Sequence, residues 1–315
     1  MTGTATLPTT ALGATGLEIT RIGFGAWAIG GGDYKFGWGE QDDADSVAAI
    51  HRALELGVNW IDTAAIYGIG RSERVVGAAL AGLEQRPLVF TKGSRVVGAD
   101  GEITGSLKRD SLRRELEASL ERLGLDAVDL YQLHWPIPEE DIEEGWSALV
   151  ELRDEGLTRH IGVSNFSVEQ LRRIGAIAPV ETLQPPYSLV ARDAEEELLP
   201  FCEAEGIGVL VYSPMGSGVL TGAMTRERIA ALPADDWRHA HPRFQEPELT
   251  RNLALAERLS RIGAPFGMSA GAVAIAWTLA NPAVDGAIVG FRNAAQVDGI
   301  LAGAGADLGD ALAGL

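Results

Sequence analysis

Short apolar runs alternate with longer segments of helical spacing along almost the whole chain. The runs Ile22 to Trp27, Asn59 to Asp62, Leu88 to Lys92, Val128 to His134, His160 to Ser164, Glu181 to Gln184, Val209 to Tyr212 and Gly286 to Val289 read as buried strands. Between them, Asp43 to Leu56, Arg71 to Ala81, Leu107 to Leu123, Glu143 to Glu155, Val168 to Ile174 and Ala194 to Glu205 repeat apolar residues at three- and four-residue spacing, which predicts helices. Gly57, Gly124, Gly156 and Gly206 stand where several of these helices should end, as a left-handed closing residue would.

Eight strand and helix repeats in 315 residues fit an α/β fold of the closed parallel kind, a (β/α)8 TIM barrel, better than an open sheet. No composition break divides the chain, so residues 1–315 are expected to form a single barrel domain. A long polar insert, Gly216 to Thr250, carries Pro233, Pro242 and Pro247 and is expected as a loop after the seventh strand. Loops that follow barrel strands gather at the catalytic face, so the insert should overhang the site. The stretch Gly30 to Gly39, with Tyr34, Phe36 and Trp38, belongs to the same face.

Composition narrows the partners. Hydrophobic residues make up 46% and charged residues 22%, as in ordinary folded enzymes. With 26 basic and 44 acidic residues the formal charge is −18, a field that disfavours nucleic acid and anionic membrane surfaces. Any anionic ligand therefore needs a local positive pocket. Cys202 is the only cysteine, which excludes an internal disulfide and a cysteine-rich metal site. The opening MTGTATLPTT lacks the basic start and apolar core of a leader, and no later run reaches the length of a membrane span, so a cytoplasmic location is expected.

Asp62, Lys92 and His134 fall at the ends of successive predicted strands, and Tyr67 follows Asp62 in the same loop. Singly each has an ordinary explanation: a helix cap, a packed ring, a satisfied core histidine. Together they supply what carbonyl reduction requires, because a hydride arriving at carbon leaves negative charge on oxygen and calls for a positioned proton donor. Tyr67 is expected to be that donor. Lowering a phenol pKa by about three units takes roughly 4 kcal/mol, which a lysine cation at about 4 Å supplies at an effective dielectric near 20. Lys92 is therefore expected to tune Tyr67, with Asp62 holding Lys92 and His134 orienting the substrate oxygen.

On these residues the chain resembles the aldo-keto reductase superfamily. The matching pieces are GFGAW at Gly23 to Trp27, DTAAIYGIGRSE at Asp62 to Glu73, Thr91 and Lys92, YQLHWP at Tyr131 to Pro136, GVSNF at Gly162 to Phe166, YSPMGSGVLTG at Tyr212 to Gly222 and VGFRNAAQV at Val289 to Val297. They span nearly the whole chain and look most like the bacterial branch of inositol-cluster and general-stress reductases. The resemblance implies an NAD(P)(H)-dependent oxidoreductase acting on a small carbonyl, alcohol or sugar, with all four catalytic positions present.

It also implies a cofactor site. Ser164, Asn165 and Gln184 would bond the nicotinamide carboxamide, and Tyr212 would stack under the ring. Ser213, Pro214, Met215, Gly216, Ser217 and Gly218 would form the pyrophosphate loop, whose small residues let backbone N–H groups approach phosphate. Ala26, Trp27, Asp62, Gly290 and Phe291 complete the expected contacts, and no Rossmann-type glycine turn is present. Arg292 and Gln296 would read the adenosine end. A guanidinium fork suits a 2′-phosphate, so NADP(H) is expected, with NAD(H) as the alternative. Gly299 and Ile300 stand where family members commonly place Glu-Asn against adenine, a departure that bears on this preference.

Trp27, Tyr34 and Trp135 are expected to contact a flat or apolar-faced substrate, for which sugars and aromatic aldehydes qualify equally. Two other readings compete: a Schiff-base aldolase with Lys92 as nucleophile, and a nicotinamide-binding sensory module without turnover. His239 and His241 sit two apart, but no third ligand is signalled nearby, and no metal is expected.

Overall fold

The computed structural model describes residues 7–32, 34–233 and 236–315. The first six residues of the opening stretch, one residue of the Gly30 to Gly39 stretch and two of the Gly216 to Thr250 insert lie outside the described residues.

The chain opens with an antiparallel hairpin of β1 (Thr9–Ala11) and β2 (Glu18–Thr20). It continues through β3 (Ile22–Gly25), α1 (Asp43–Glu55), β4 (Trp60–Asp62), α2 (Arg71–Leu80) and β5 (Leu88–Gly93). A second antiparallel hairpin follows, β6 (Arg95–Val97) and β7 (Ile103–Gly105). Then come α3 (Arg109–Leu123), β8 (Val128–Leu133), α4 (Ile142–Asp154), β9 (Thr158–Ser164), α5 (Val168–Gly175), β10 (Thr182–Gln184), α6 (Leu198–Glu205) and β11 (Gly208–Tyr212). The last elements are α7 (Arg226–Ala230), α8 (Glu248–Gly263), α9 (Ala270–Leu279), β12 (Gly286–Gly290) and α10 (Ala294–Ile300). Strands β3, β4, β5, β8, β9, β10, β11 and β12 pair in parallel and close into a barrel. The eight-stranded barrel expected from the alternation is present.

Period-two alternation sets the interior. Trp60, Phe90, Leu130 and Leu210 pack inside with Ile288, and Leu12 and Ile19 from the leading hairpin seal the floor. Two residues further along β4, β5 and β8 the same faces carry Asp62, Lys92 and Gln132, one layer above the apolar plug. The opposite faces, with Ile61, Val89, Tyr131 and Leu133, meet the surrounding helices in the main core. Trp60 keeps its indole N–H satisfied by donating to the Thr20 carbonyl at 2.8 Å.

Three details differ from the sequence expectation. The first strand ends at Gly25, and Ala26–Ile29 turn into a 3-10 helix, so Trp27 lies past the strand rather than within it. The insert after β11 is not plain loop: it folds into short helical turns and α7, and Val219, Leu220, Met224, Ile229 and Phe244 form their own apolar cluster with α8 and α9. The hairpin β6–β7, between β5 and α3, is an element that the alternation did not signal.

Candidate active site

Asp62 ends β4, and its interior face turns it toward Lys92 on the neighbouring strand. Lys92 Nζ lies 2.5 Å from Asp62 Oδ1, 2.9 Å from the Thr63 carbonyl and 3.5 Å from the Tyr67 hydroxyl. Gln184 at the end of β10 donates to the other Asp62 oxygen at 3.0 Å. Both charges of the buried pair are thus satisfied by neighbours before any ligand arrives. Tyr67 sits in the loop after β4, where Gly68, Ile69 and Gly70 take left-handed φ values of 58°, 50° and 85°. A Cβ on Gly68 would lie 1.9 Å from the Gly30 carbonyl oxygen, so only glycine allows this loop to close over the strand end.

His134 follows β8. Its N–H donates to the Gly93 carbonyl at 3.1 Å and the Ser94 hydroxyl at 3.2 Å, and its carbonyl accepts from Asn165 Nδ2 at 3.0 Å. The imidazole meets the Tyr67 ring edge to face with centroids 5.6 Å apart. Ser72 and Glu73, from the same motif as Tyr67, point away from the site. Ser72 donates to the Ala26 carbonyl, and buried Glu73 accepts from Thr91 and Arg122, which pins α2 and α3 to the barrel.

Electrostatics assign protonation states. Burial first, then the negative charge of Asp62, holds the Tyr67 phenol well above its usual range. The Lys92 ammonium 3.5 Å away favours the phenolate, but burial and Asp62 outweigh it in this site, so the net shift is upward rather than the lowering expected. Tyr67 therefore carries its proton at neutral pH. His134 is pushed far below the ordinary imidazole range by burial and by the positive charges of Lys92 and Arg95, so it is a neutral hydrogen-bonding group. Burial raises Asp62 and lowers Lys92, and their mutual attraction opposes both shifts.

Above these groups opens a cavity of about 740 Å³, within the range of a ligand pocket. It is lined by Trp27, Tyr34, Asp62, Tyr67, His134 and Trp135, by Ser164, Asn165, Gln184 and Tyr212, and by Ser213, Pro214, Met215, Ser217 and Gly218. Gly290, Phe291, Arg292 and Gln296 also line it, with Gly299 and Ile300. Ala26 and Gly216, expected as cofactor contacts, do not line it: Ala26 is the buried first residue of the 3-10 turn, and Gly216 is buried where a Cβ would meet Val190. Lys92 stays behind Tyr67 with its side chain fully buried, which leaves it no access to a substrate carbon and removes the support for a Schiff-base aldolase. His239 bonds the Leu232 carbonyl, while His241 accepts from the Arg243 N–H and packs on Trp237 and Phe244.

Several lining residues were not marked by any sequence pattern. Arg228 and Arg238 come from the insert, Arg95 and Ile103 from the unexpected hairpin, and Ser269 from the start of α9. Trp237, also in the insert, stacks on Trp27 at 5.7 Å, and Trp38 meets both rings edge-on. The insert overhangs the site, as its place after the seventh strand implied, and adds Arg228 and Arg238 to the lining.

The donor set fits a dinucleotide. Ser213, Gly216, Ser217 and Gly218 all have left-handed φ, between 55° and 95°, which curls the backbone into the concave form that cradles phosphate. Burial, and after it the nearby charges of Arg238 and Arg228, lower Arg292, while Arg238 is itself paired with Asp236 at 2.6 Å. Arg292 is held in place by its Nε bond to Gln41 at 2.7 Å and a bond to the Glu40 carbonyl. Tyr212 donates to Asn165 Oδ1 at 2.8 Å, which fixes its ring at the cavity wall.

Residues 21–308 match the Aldo/keto reductase family. Aldo-keto reductase YhdN of Bacillus subtilis is 38% identical over 293 residues, covering 92% of this chain and 87% of that protein. The NADH-specific methylglyoxal reductase of Escherichia coli is 34% identical over 317 residues, covering 95% and 94%. The solved glycerol dehydrogenase AKR11B4 from Gluconobacter oxydans superposes with a TM-score of 0.87 at 36% identity, covering 96% of this chain and 92% of that one.

Proposed function

Because the chain belongs to the aldo/keto reductase family, and is thereby an oxidoreductase acting on carbonyl or CH–OH groups with a nicotinamide cofactor, we propose that Tyr67 is its proton donor and acceptor and NADP(H) its cofactor. The observation that carries this reading is the buried chain from Asp62 through Lys92 to a protonated Tyr67 that opens into the cavity beside neutral His134. A nicotinamide bound along Tyr212 would supply or receive the hydride.

The rest is the work of this chain's residues. Tyr67 donates its O–H proton to the substrate oxygen as negative charge develops there, and takes it back in the oxidative direction. The Lys92 ammonium then lies 3.5 Å from the phenolate that remains and stabilises it, with Asp62 keeping Lys92 charged and aimed. His134, uncharged, hydrogen-bonds the same oxygen and sets its angle. Ser164, Asn165 and Gln184 orient the carboxamide, and the cluster of Arg228, Arg238 and Arg292 holds the phosphates. Trp27, Tyr34 and Trp135 form the substrate wall for an aldehyde, ketone or sugar. The chain acts as one barrel domain, and among its described residues no single helix is long and apolar enough to cross a membrane. A cytoplasmic location accords with this reading.

The test is the absorbance of reduced nicotinamide with small aldehydes, ketones and keto-sugars, run with NADPH and NADH. Consumption with NADPH at lower cofactor concentration than with NADH is expected. Tight NADPH binding without turnover of any carbonyl would overturn the assignment of Tyr67.

A further inference from the structure

Arg95 opens β6 and lines the same cavity as Tyr67 and His134, beside Ile103, Trp135 and Ile137. Its position is built into the fold from two sides. Ser94, just before it, accepts the N–H groups of His134 at 3.2 Å and Trp135 at 3.4 Å and donates its own N–H to Glu115 at 2.9 Å. The start of the hairpin is thereby tied to the strand end that carries His134. Opposite Arg95 in register stands Gly105, where a Cβ would lie 2.3 Å from the Ile137 carbonyl oxygen, so the returning strand rests directly on the backbone beyond Trp135.

The guanidinium itself is left incomplete. Among the described residues Arg95 has no ion pair, and its one hydrogen bond is a 3.5 Å contact from Nη2 to the Ile103 carbonyl. The only carboxylate lining the cavity among the described residues is Asp62, which is already bonded to Lys92 and Gln184. Arg292 is held by Gln41 and the Glu40 carbonyl, and Arg238 is paired with Asp236 at 2.6 Å, so neither is in the state of Arg95. A half-buried cation in an apolar-walled cavity is unfavourable unless an anion completes it. Its place beside His134 and Trp135 puts that anion on the substrate.

We propose that Arg95 is a specificity residue that receives an anionic group, carboxylate or phosphate, of the carbonyl substrate, so that charged carbonyl compounds are preferred over neutral ones of similar length. The proposal rests on the oxidoreductase reading of Tyr67.

The test compares kcat/KM for 4-oxobutanoate against butanal, and for glyceraldehyde 3-phosphate against glyceraldehyde, in the native enzyme, Arg95→Lys, Arg95→Met and Arg95→Glu. One charged substrate should be favoured over its neutral partner by about tenfold or more, and the pair that shows it identifies the anion. The ratio should stay partly high in Arg95→Lys, fall toward unity in Arg95→Met and invert in Arg95→Glu. Ratios unchanged across the four proteins would overturn the proposal. Calorimetric titration with succinate and with inorganic phosphate separates this from the reading of Tyr67. Binding lost in Arg95→Met without turnover by the native enzyme would leave the anion site standing and remove the catalytic assignment. Equal binding of both anions to the native enzyme and Arg95→Met would remove the anion site.

Discussion

Tyr67 keeps its proton because the barrel buries it next to a carboxylate, and that state suits the donor in carbonyl reduction. Tyr67→Phe removes the O–H and little else, so kcat should fall by about 10²-fold or more while the dissociation constant of the cofactor changes little; rapid-mixing and fluorescence titration would check the two separately. Lys92→Met leaves Asp62 without its 2.5 Å partner and the phenolate without the cation 3.5 Å away. The apparent pKa in the pH profile of alcohol oxidation should therefore move up, by about one to three units. A profile that drops in height and keeps its shape would make Lys92 a purely structural group. Asp62, Lys92 and His134 were legible in the sequence because strand ends announce themselves: an apolar run stops, and one polar residue follows. Tyr67 was legible only with its motif. The direction of its shift was not legible, since it depends on how deeply the phenol is buried and how near Asp62 lies, and no spacing reveals that. Arg95, Arg228 and Arg238 carried no signal, because an arginine in a turn or insert looks the same whether it faces water or a cavity.

At the scale of elements, period and length decided what could be read. Eight strands and six helices alternate cleanly, and each has one apolar face, so their existence and order could be inferred. Helix α9 escaped because AGAVAIAWTL is buried on almost every side and so shows no periodic polar face. The hairpin β6–β7 escaped because its strands are three residues long and only partly buried. That hairpin is tied to α3 by Glu115, which accepts from the Ser94 N–H at 2.9 Å and the Ser111 hydroxyl at 3.1 Å. Burial pushes the Glu115 carboxyl up from 4.5 to about 7. Between these two values the folded state binds the extra proton, so stability contributed by this group is present below about 4.5 and is lost as pH rises to about 7. The loss is at most roughly 3.5 kcal/mol, since one pKa unit corresponds to about 1.4 kcal/mol. Glu115→Gln cannot ionise, so denaturant unfolding should show it gaining on the native protein as pH is raised across that window. A difference independent of pH would mean that Glu115 is already ionised in the fold.

Over the whole molecule, a charge of −18 repels the phosphorylated cofactor that the proposed activity needs, and the fold answers with a local concentration of cations. Arg228 and Arg238 descend from the insert and meet Arg292 from the segment after β12, parts of the chain far apart in sequence. This convergence was invisible in the sequence except for Arg292, whose motif marked it. Its partners were equally hidden: Gln41 and the Glu40 carbonyl, before α1, hold the guanidinium so that the fork is oriented in advance. A relative that is NADH-specific shows that sequences this similar need not select the 2′-phosphate. Arg292→Ala should weaken NADPH far more than NADH, because only NADPH carries that group. A charge-assisted contact is worth roughly 1.5 to 3 kcal/mol, or about 10- to 150-fold in the dissociation constant. Turnover at saturating cofactor should change little, since the Arg292 side chain bonds Gln41 and the Glu40 carbonyl and not Asp62, Tyr67, Lys92 or His134. The NADPH preference should also shrink as salt is raised, because part of the attraction comes from Arg228 acting at a distance, Arg238 being paired with Asp236. Equal weakening of both cofactors would mean that Arg292 only braces the Glu40–Gln41 turn, and that the 2′-phosphate is not what this cluster recognises.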